Sequence, residues 1–410
     1  MRATPIVYLI SLAAALTLLT GSAVSAQLDE PIATAPPPQY EDLSMAIIEN
    51  DLTQPAINAA VSETATFAFT EIGGTTEGQK AEDKKAEGKR AGLDSVSLPA
   101  TEKVVLAARD AGEKGYDLVV ISGGDSQGTV GFAQAYPETF FFDIDQPVPC
   151  VTADGRADPS GTCEGGVGAL PFNYVAVDFD TDQAAYLAGV IAASASRDDI
   201  LGIISGTADC PDCNRTIEGF VLGARSVKPD IEVHQAYLAD EGEAVAFGDP
   251  TSAKTFAKAF IDVYQPDVIL PLVGSGSRGV IEAACEAGIL AVGADVDVSA
   301  THPELAECIL TSITKDYEYA VRESIFAWAR GEAATEVRLG LADGHVGVTD
   351  EWTRLPSLPV DLGERYAQAE QAVITGQVET CPMDCGEPVQ LSSLPANPGP
   401  RATPSPAPDD

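Results

Sequence analysis

From residue 44 onward two apolar patterns alternate along the chain. The short runs MAIIE, DSVSL, YDLVVIS, TFFFDI, YVAVDF, ILGIIS, IEVHQAYL, DVILPLV and ILAVGA read as strands. Between them lie stretches with helical spacing, among them TEKVVLAARDAGEKG, DQAAYLAGVIAASAS, NRTIEGFVLGARSVKP and PTSAKTFAKAFIDVYQP. Strand, helix and strand in this order predict right-handed crossover units, hence an α/β fold of parallel sheets with helices on both faces. The units are too numerous for one comfortable sheet, so the pattern predicts two doubly wound lobes. With 410 residues and 45% hydrophobic content, the chain is long enough to fill two cores.

The ends read differently. Residues 1–26 carry Arg2, an apolar stretch from Ile6 to Leu19 and the small residues Val24-Ser25-Ala26, the pattern of a secretory signal cleaved after Ala26. The mature chain is therefore expected outside the cytoplasm, in a periplasm or at the outer face of the cytoplasmic membrane. No later run reaches the roughly 20 apolar residues of a membrane span. A proline-rich lead-in (27–43) and a proline-rich tail (393–410) are too polar and broken to pack.

Charge narrows the partners. With 62 acidic against 24 basic residues, the formal charge is −38, which repels nucleic acid and anionic lipid. Five of the basic residues sit in KAEDKKAEGKR (80–90), which reads as a solvated helix face or an insertion loop. Eight cysteines in an exported chain predict disulfides. Nearness along the chain suggests Cys150 with Cys163, Cys210 with Cys213, Cys285 with Cys308, and Cys381 with Cys385. The CPDC of Cys210–Cys213 also has the spacing of a thiol redox motif, although a staple at a helix start is the plainer reading.

In open α/β sheets ligands bind beyond the carboxyl ends of the strands. That rule selects Gly123, Gly124, Asp125 and Ser126 after YDLVVIS, Asp145 after TFFFDI, Gly274 to Ser277 after DVILPLV, and Asp295 and Asp297 after ILAVGA. Asp125 or Ser126 is also a natural helix cap. PLVGSGSRGV lacks the GK[ST] of a phosphate loop, and no G-x-S-x-G elbow or H-E-x-x-H helix occurs. The three histidines, His234, His302 and His345, stand in no catalytic relation to a serine or cysteine. The chain therefore reads as a binding protein with neither an enzymatic activity, a cofactor nor a metal.

The blocks FNYVAVDFDTDQAAYLAGVIAA, RTIEGFVLGARSVKPDIEV, GVIEAACEAG, VGADVD and LTSITKDYEYAVRESI, spread over about 115–350, resemble the basic membrane protein family of extracytoplasmic solute-binding proteins, which includes purine nucleoside receptors of ABC importers. The resemblance implies a type I periplasmic-binding fold, two lobes joined by three crossings and closing on a ligand. It implies that Asp295, in the family's GVDSD position, grips ribose hydroxyls, because a carboxylate accepts from two vicinal hydroxyls through charge-assisted bonds. Lys315, in the LTSVVK position, is expected to donate to the same sugar and partly neutralise Asp295. Asp145, Gly123 and Gly274, selected by the strand-end rule, and Asp51 and Asn58 in the first loop complete the expected ligand set.

The departures lie on the side that would read a base. ENDLTQPAIN has no aromatic where the family carries a Ser-Phe-Asn loop, and Thr216 stands at the position of a stacking ring. Stacking contributes about 1–3 kcal/mol per base, so other aromatics must supply it if a nucleoside binds.

The expected organisation is 44–176 plus 299–338 in the first lobe, 177–298 plus 339–350 in the second, and 351–392 as a C-terminal extension. The function implied is capture of a small polyhydroxylated solute, nucleoside or sugar-like, for an ABC permease. A ligand-sensing or interaction protein on the same scaffold is the alternative.

Overall fold

A computed structural model describes residues 40, 43–74, 76, 92–152, 156–158, 168–239, 245–355, 358–382, 385–386, 389–392 and 394. The signal sequence, the segment 80–90 and Cys163 lie outside these residues.

Two six-stranded sheets carry the described chain. The first contains β1 (Ser44–Asn50), β2 (Gly92–Leu98), β3 (Leu118–Ser122), β4 (Phe140–Ile144), β5 (Tyr174–Phe179) and β11 (Glu336–Leu339), in the spatial order β2-β1-β3-β4-β5-β11. The second repeats that order with β6 (Ile200–Ser205), β7 (Glu232–Tyr237), β8 (Val268–Leu272), β9 (Leu290–Gly293), β10 (Ile309–Lys315) and β12 (Val346–Val348), as β7-β6-β8-β9-β10-β12. All pairings are parallel except the antiparallel β10–β12 edge. Strands such as LVVIS and YVAVDF are buried along their whole length, as expected of parallel strands covered on both faces.

The order reverses between β1 and β3 in one sheet and between β6 and β8 in the other. These switch points are where crevices open beyond the strand ends.

The helices are α1 (Pro55–Glu71), α2 (Thr101–Glu113), α3 (Ser126–Ala135), α4 (Thr181–Ala195), α5 (Pro211–Val227), α6 (Pro250–Tyr264), α7 (Ser277–Ala287), α8 (Tyr317–Ala329) and α9 (Leu362–Ile374), with short turns at Val245–Gly248 and Val298–Thr301. Asp125 caps α3 by accepting from the Gln127 amide at 3.1 Å. Asp297 caps the turn at 298 by accepting from the Ala300 amide at 3.0 Å. No helix among the described residues is long and apolar enough to cross a membrane.

The chain passes between the sheets after β5, after β10 and after β11. The passages lie side by side: the Asp180 amide donates to the Leu339 carbonyl at 2.9 Å, and the Asp316 amide to the His345 carbonyl at 2.9 Å. This corrects the expected division at 299, because β10 pairs with β9 in the second sheet and the crossing comes after Lys315. The expected boundary at 176 falls within β5, which runs to Phe179.

Both proline-rich ends pack at their inner margins, contrary to the expectation. Tyr40 packs against Trp328, with ring centroids 5.2 Å apart, and donates to the Ala329 carbonyl, and Leu43 is buried. Leu394 is buried too, and its carbonyl accepts from Arg225 at 2.9 Å. The C-terminal extension is structured: α9 packs on α4, and Gly386 accepts from Asn214 on α5.

Candidate functional site

The two switch points share a cavity of about 240 Å³. Asn50, Leu52 and Gly123 line it from the first sheet, and Val273, Gly274 and Ala294 from the second. Lys315 stands at its floor. The last residue of β10, it has a side chain only 1% exposed, and its Nζ lies 2.9 Å from Asp145, 2.8 Å from Asp212 and 3.1 Å from Asp295. Asp145 comes from the loop after β4, Asp295 from the loop after β9, and Asp212 from the first turn of α5. The ammonium thus joins three elements that are far apart in sequence.

Local backbone geometry aims these acids. Asp145 and Asp295 both adopt left-handed conformations, with φ of 61° and 68°, which turn the chain sharply at the strand end. The Lys315 amide donates to the Asp295 carbonyl at 3.1 Å, fixing that turn to the adjacent strand. Asp212 depends on the packing of α4 against α5. A side chain at Gly189 or Gly223 would collide with the backbone of the facing helix, so these glycines let the two helices touch. The contact brings the Thr181 hydroxyl to the Asp212 carboxylate at 3.0 Å. The Cys210–Cys213 disulfide closes the turn around Asp212, and Cys210 is the N-cap of α5.

Neighbouring donors engage the same carboxylates. Tyr317 donates to Asp145 at 2.6 Å, and Gln54 to Asp295 at 3.2 Å and to the Ala294 carbonyl at 2.9 Å. Gln54 and Asp145 belong to the first lobe, Ala294 and Lys315 to the second, and the Ser275 amide also reaches the Leu52 carbonyl at 3.1 Å. The lobes are therefore bonded to each other through the residues that line the cavity.

Electrostatics follow from this crowding. Burial works against the Lys315 ammonium, but Asp145, Asp212 and Asp295 together hold its pKa well above the usual lysine value. Burial raises the Asp145 carboxyl to about 6, a rise that Lys315 opposes and the other two acids reinforce. Asp212 is lowered: burial opposes its charge, and the charges of Lys315 and Arg215 outweigh that cost. Oxygens of the three carboxylates lie within 4.8 Å of one another, as in a cation site, and the Lys315 ammonium holds its centre.

A second ionic cluster sits at the crossings. Arg215, one turn along α5, is buried and contacts Asp178 at 3.0 Å and both Asp180 and Asp182 at 3.4 Å, while Arg338 of β11 reaches Asp178 at 2.8 Å. It joins the end of β5 to the helices of the second lobe.

Of the residues expected to face a ligand, Asp145, Gly123, Gly274, Asp295 and Lys315 line the cavity. Gly123 and Gly274 have φ of 67° and 54°, and a Cβ at Gly274 would lie 2.4 Å from the Leu52 carbonyl. Asp51 and Asn58 do not line it. Asp51 is exposed and bonded to Ser97. Asn58 is tied to the Asn50 carbonyl at 2.9 Å and to Ser122 at 3.1 Å, where it braces the end of β1. Thr216, at the position of the family's stacking ring, lines the cavity, and Phe247, from the turn before α6, adds an aromatic side chain to its lining. Asp212, Gln54 and Phe247 were missed by sequence reasoning.

The structure joins Cys285 to Cys308 and Cys381 to Cys385, in addition to Cys210–Cys213. Cys150 is also disulfide-bonded.

Two α/β lobes of like topology, crossed three times and meeting at their switch points, define the architecture of periplasmic solute-binding proteins. Solved structures agree in fold. An ABC transporter solute-binding protein from Aeropyrum pernix K1 superposes with a TM-score of 0.61 at 20% identity, covering 82% of this chain and 92% of that one. A periplasmic solute-binding protein from Actinobacillus succinogenes with bound D-allose gives 0.52 at 15% identity, covering 75% and 98%.

Residues 75–371 match the family model Bmp, described as ABC transporter substrate-binding protein PnrA-like, and the chain belongs to that family. It is similar to basic membrane protein B of Borreliella burgdorferi, 31% identical over 44% of this chain and 51% of the relative. It is also similar to the ABC transporter nucleoside-binding protein BmpA of Lactococcus lactis, 35% identical over 27% and 30%. The matches span about half the length of the basic membrane protein B relatives. The family is one of extracytoplasmic solute-binding proteins of ABC transporters, not of enzymes.

Proposed function

We propose that this chain captures a small hydroxylated solute, nucleoside or sugar-like, between its lobes and delivers it to an ABC permease outside the cytoplasm. The observation that carries this reading is the convergence of Asp145, Asp295 and Lys315 on one cavity bounded by both sheets. Carboxylates held apart by an ammonium keep free acceptor positions for ligand hydroxyls, and such charge-assisted bonds are about twice as strong as neutral ones. Phe247 and the first-loop Leu52 offer apolar surface to a ring, whereas the first loop supplies no aromatic and Thr216 stands where the family carries one. Closing the lobes over the solute completes the site, since Gln54 and Leu52 bond across the cleft. The reading includes export, with the signal sequence cleaved after Ala26. The nucleoside-binding relative and the D-allose complex support the solute class.

The test is native mass spectrometry of protein purified without dialysis, followed by thermal-shift screening over nucleosides, sugars and polyols. A co-purified or stabilising solute is expected, with binding weakened at least tenfold in Asp295→Ala, the loss for one charge-assisted bond of about 1.5–3 kcal/mol. No stabilisation by any of these, with Asp295→Ala behaving as wild type, overturns the reading.

A further inference from the structure

The cleft holds more acid than its ammonium neutralises. Asp145, Asp212 and Asp295 supply three carboxylates, and Lys315 is the one Lys, Arg or His among the described residues lining the cavity. Its ammonium donates to Asp145 and Asp212 and is ion-paired with Asp295 at 3.1 Å. The outer cleft continues the imbalance, lined by Glu102, Asp125 and Asp209 with no basic residue among the described lining. The charge of Arg215 also favours the Asp212 carboxylate, but its guanidinium is bonded to Asp178, Asp180 and Asp182 at the crossings and makes no ion pair with the three acids around Lys315.

Asp212 tips the balance. Without it the inner cluster would carry one net negative charge; with it, two. Its placement is built rather than incidental: the Cys210–Cys213 disulfide brackets it, Thr181 orients one oxygen, and Lys315 takes the other. Carboxylates in a partly desolvated cavity are costly unless an opposite charge meets them. Six carboxylate oxygens also offer more acceptor positions than Lys315, Tyr317, Gln54 and Thr181 fill. Phe247, on the cavity wall, adds an aromatic side chain, a group whose ring attracts cations. An acidic cluster on the open surface of so acidic a chain would carry no such meaning; this one closes a cavity between two switch points.

We infer that the solute of this site is a hydroxylated molecule bearing a positive charge, of the aminosugar or amino-nucleoside type, and that Asp212 selects for that charge. The inference rests on the reading of the cleft as the solute site. Isothermal titration at pH 7.5 and fixed ionic strength compares matched pairs: D-glucosamine with D-glucose, D-galactosamine with D-galactose, and 5′-amino-5′-deoxyadenosine with adenosine. In wild type at least one amine is expected to bind about tenfold or more tightly than its neutral parent, the gain for one charge-assisted contact. In Asp212→Asn that ratio is expected to fall to about threefold or less, and added NaCl to narrow the wild-type ratio. The wild-type comparison decides even if the variant folds poorly. Neutral parents binding as well as their amines, or an unchanged ratio in a folded Asp212→Asn, overturns the inference while leaving the solute site standing. Binding of neither member of any pair removes the solute reading and the inference with it.

Discussion

Replacing Lys315 with methionine keeps the length and apolar stem of the side chain and deletes one charge. Three carboxylates then face one another with oxygens no more than 4.8 Å apart. At an effective dielectric constant of about 20, each pair repels by about 3.5 kcal/mol at that separation. Three pairs sum to about 10 kcal/mol, comparable to the roughly 5–15 kcal/mol that stabilises a native protein. Asp212 is 37% exposed, so water screens its share, and the folded chain escapes the rest by binding protons. The measured loss is therefore expected near the about 3–5 kcal/mol typical of a broken buried ion pair.

The pH dependence is the sharper signature. Asp145 already sits at about 6 with the ammonium beside it, and without the ammonium the folded-state values rise further. A carboxyl whose folded pKa lies above its unfolded one favours the fold at pH values below the unfolded pKa. That advantage is lost as the pH rises through the folded value. Lys315→Met should thus be nearly as stable as wild type at pH 4.5 and most deficient at pH 8. Urea unfolding followed by circular dichroism at both pH values measures the difference. A deficit under about 1 kcal/mol at pH 8, or an equal deficit at both pH values, refutes the electrostatic account.

Two further outcomes follow from buried charge elsewhere. Arg215→Ala leaves Asp178 and Asp182 buried at the crossings without their main cation, and a loss of about 3–5 kcal/mol is expected in the same unfolding assay; retention within about 1 kcal/mol means the cluster is dispensable. Asp143 is fully buried, its carboxyl raised to about 7 by burial against the opposing hydrogen bonds from Thr129 and Tyr174. Its favourable contribution is present below about pH 4 and lost as the pH rises through 7, so Asp143→Asn should gain about 4 kcal/mol relative to wild type between pH 4 and pH 8, and parallel stability profiles would contradict this.

Strands buried on both faces announce themselves as continuous apolar runs, which is why β3, β5, β6 and β8 are legible in the sequence. β10 is not, because Thr311, Ser312 and Thr314 interrupt it. In the fold the Thr311 hydroxyl donates to the Thr349 carbonyl at 2.7 Å, and the Ser312 amide donates to the Thr349 hydroxyl at 2.7 Å, so a polar run becomes an interior strand. That one misreading displaced the expected lobe boundary. At the site, Asp145, Asp295 and Lys315 are legible because the strand-end rule and the resemblance both select them. Asp51 fails by a single position: Asn50 and Leu52 line the cavity, and the residue between them points outward. Asp212 was hidden by its setting. The flanking cysteines drew attention to thiol chemistry, whereas the residue they enclose owes its importance to the contact between α4 and α5, a tertiary fact without a local signature.

The crossings also determine when each sheet is finished. The outer partner of β5 is β11, and Ala176, paired with Asp143 of β4 on one side, must wait for Glu336 on the other. Every β6–β10 strand of the other sheet is made first. During synthesis, YVAVDF stands as a bare edge, apolar except for Asp178, for nearly the whole of the second lobe, the kind of template on which chains associate wrongly. Contacts so distant in sequence close slowly. Completion of the first lobe is therefore a late event governed by the far end of the chain, and any truncation before Glu336 would leave that edge open permanently.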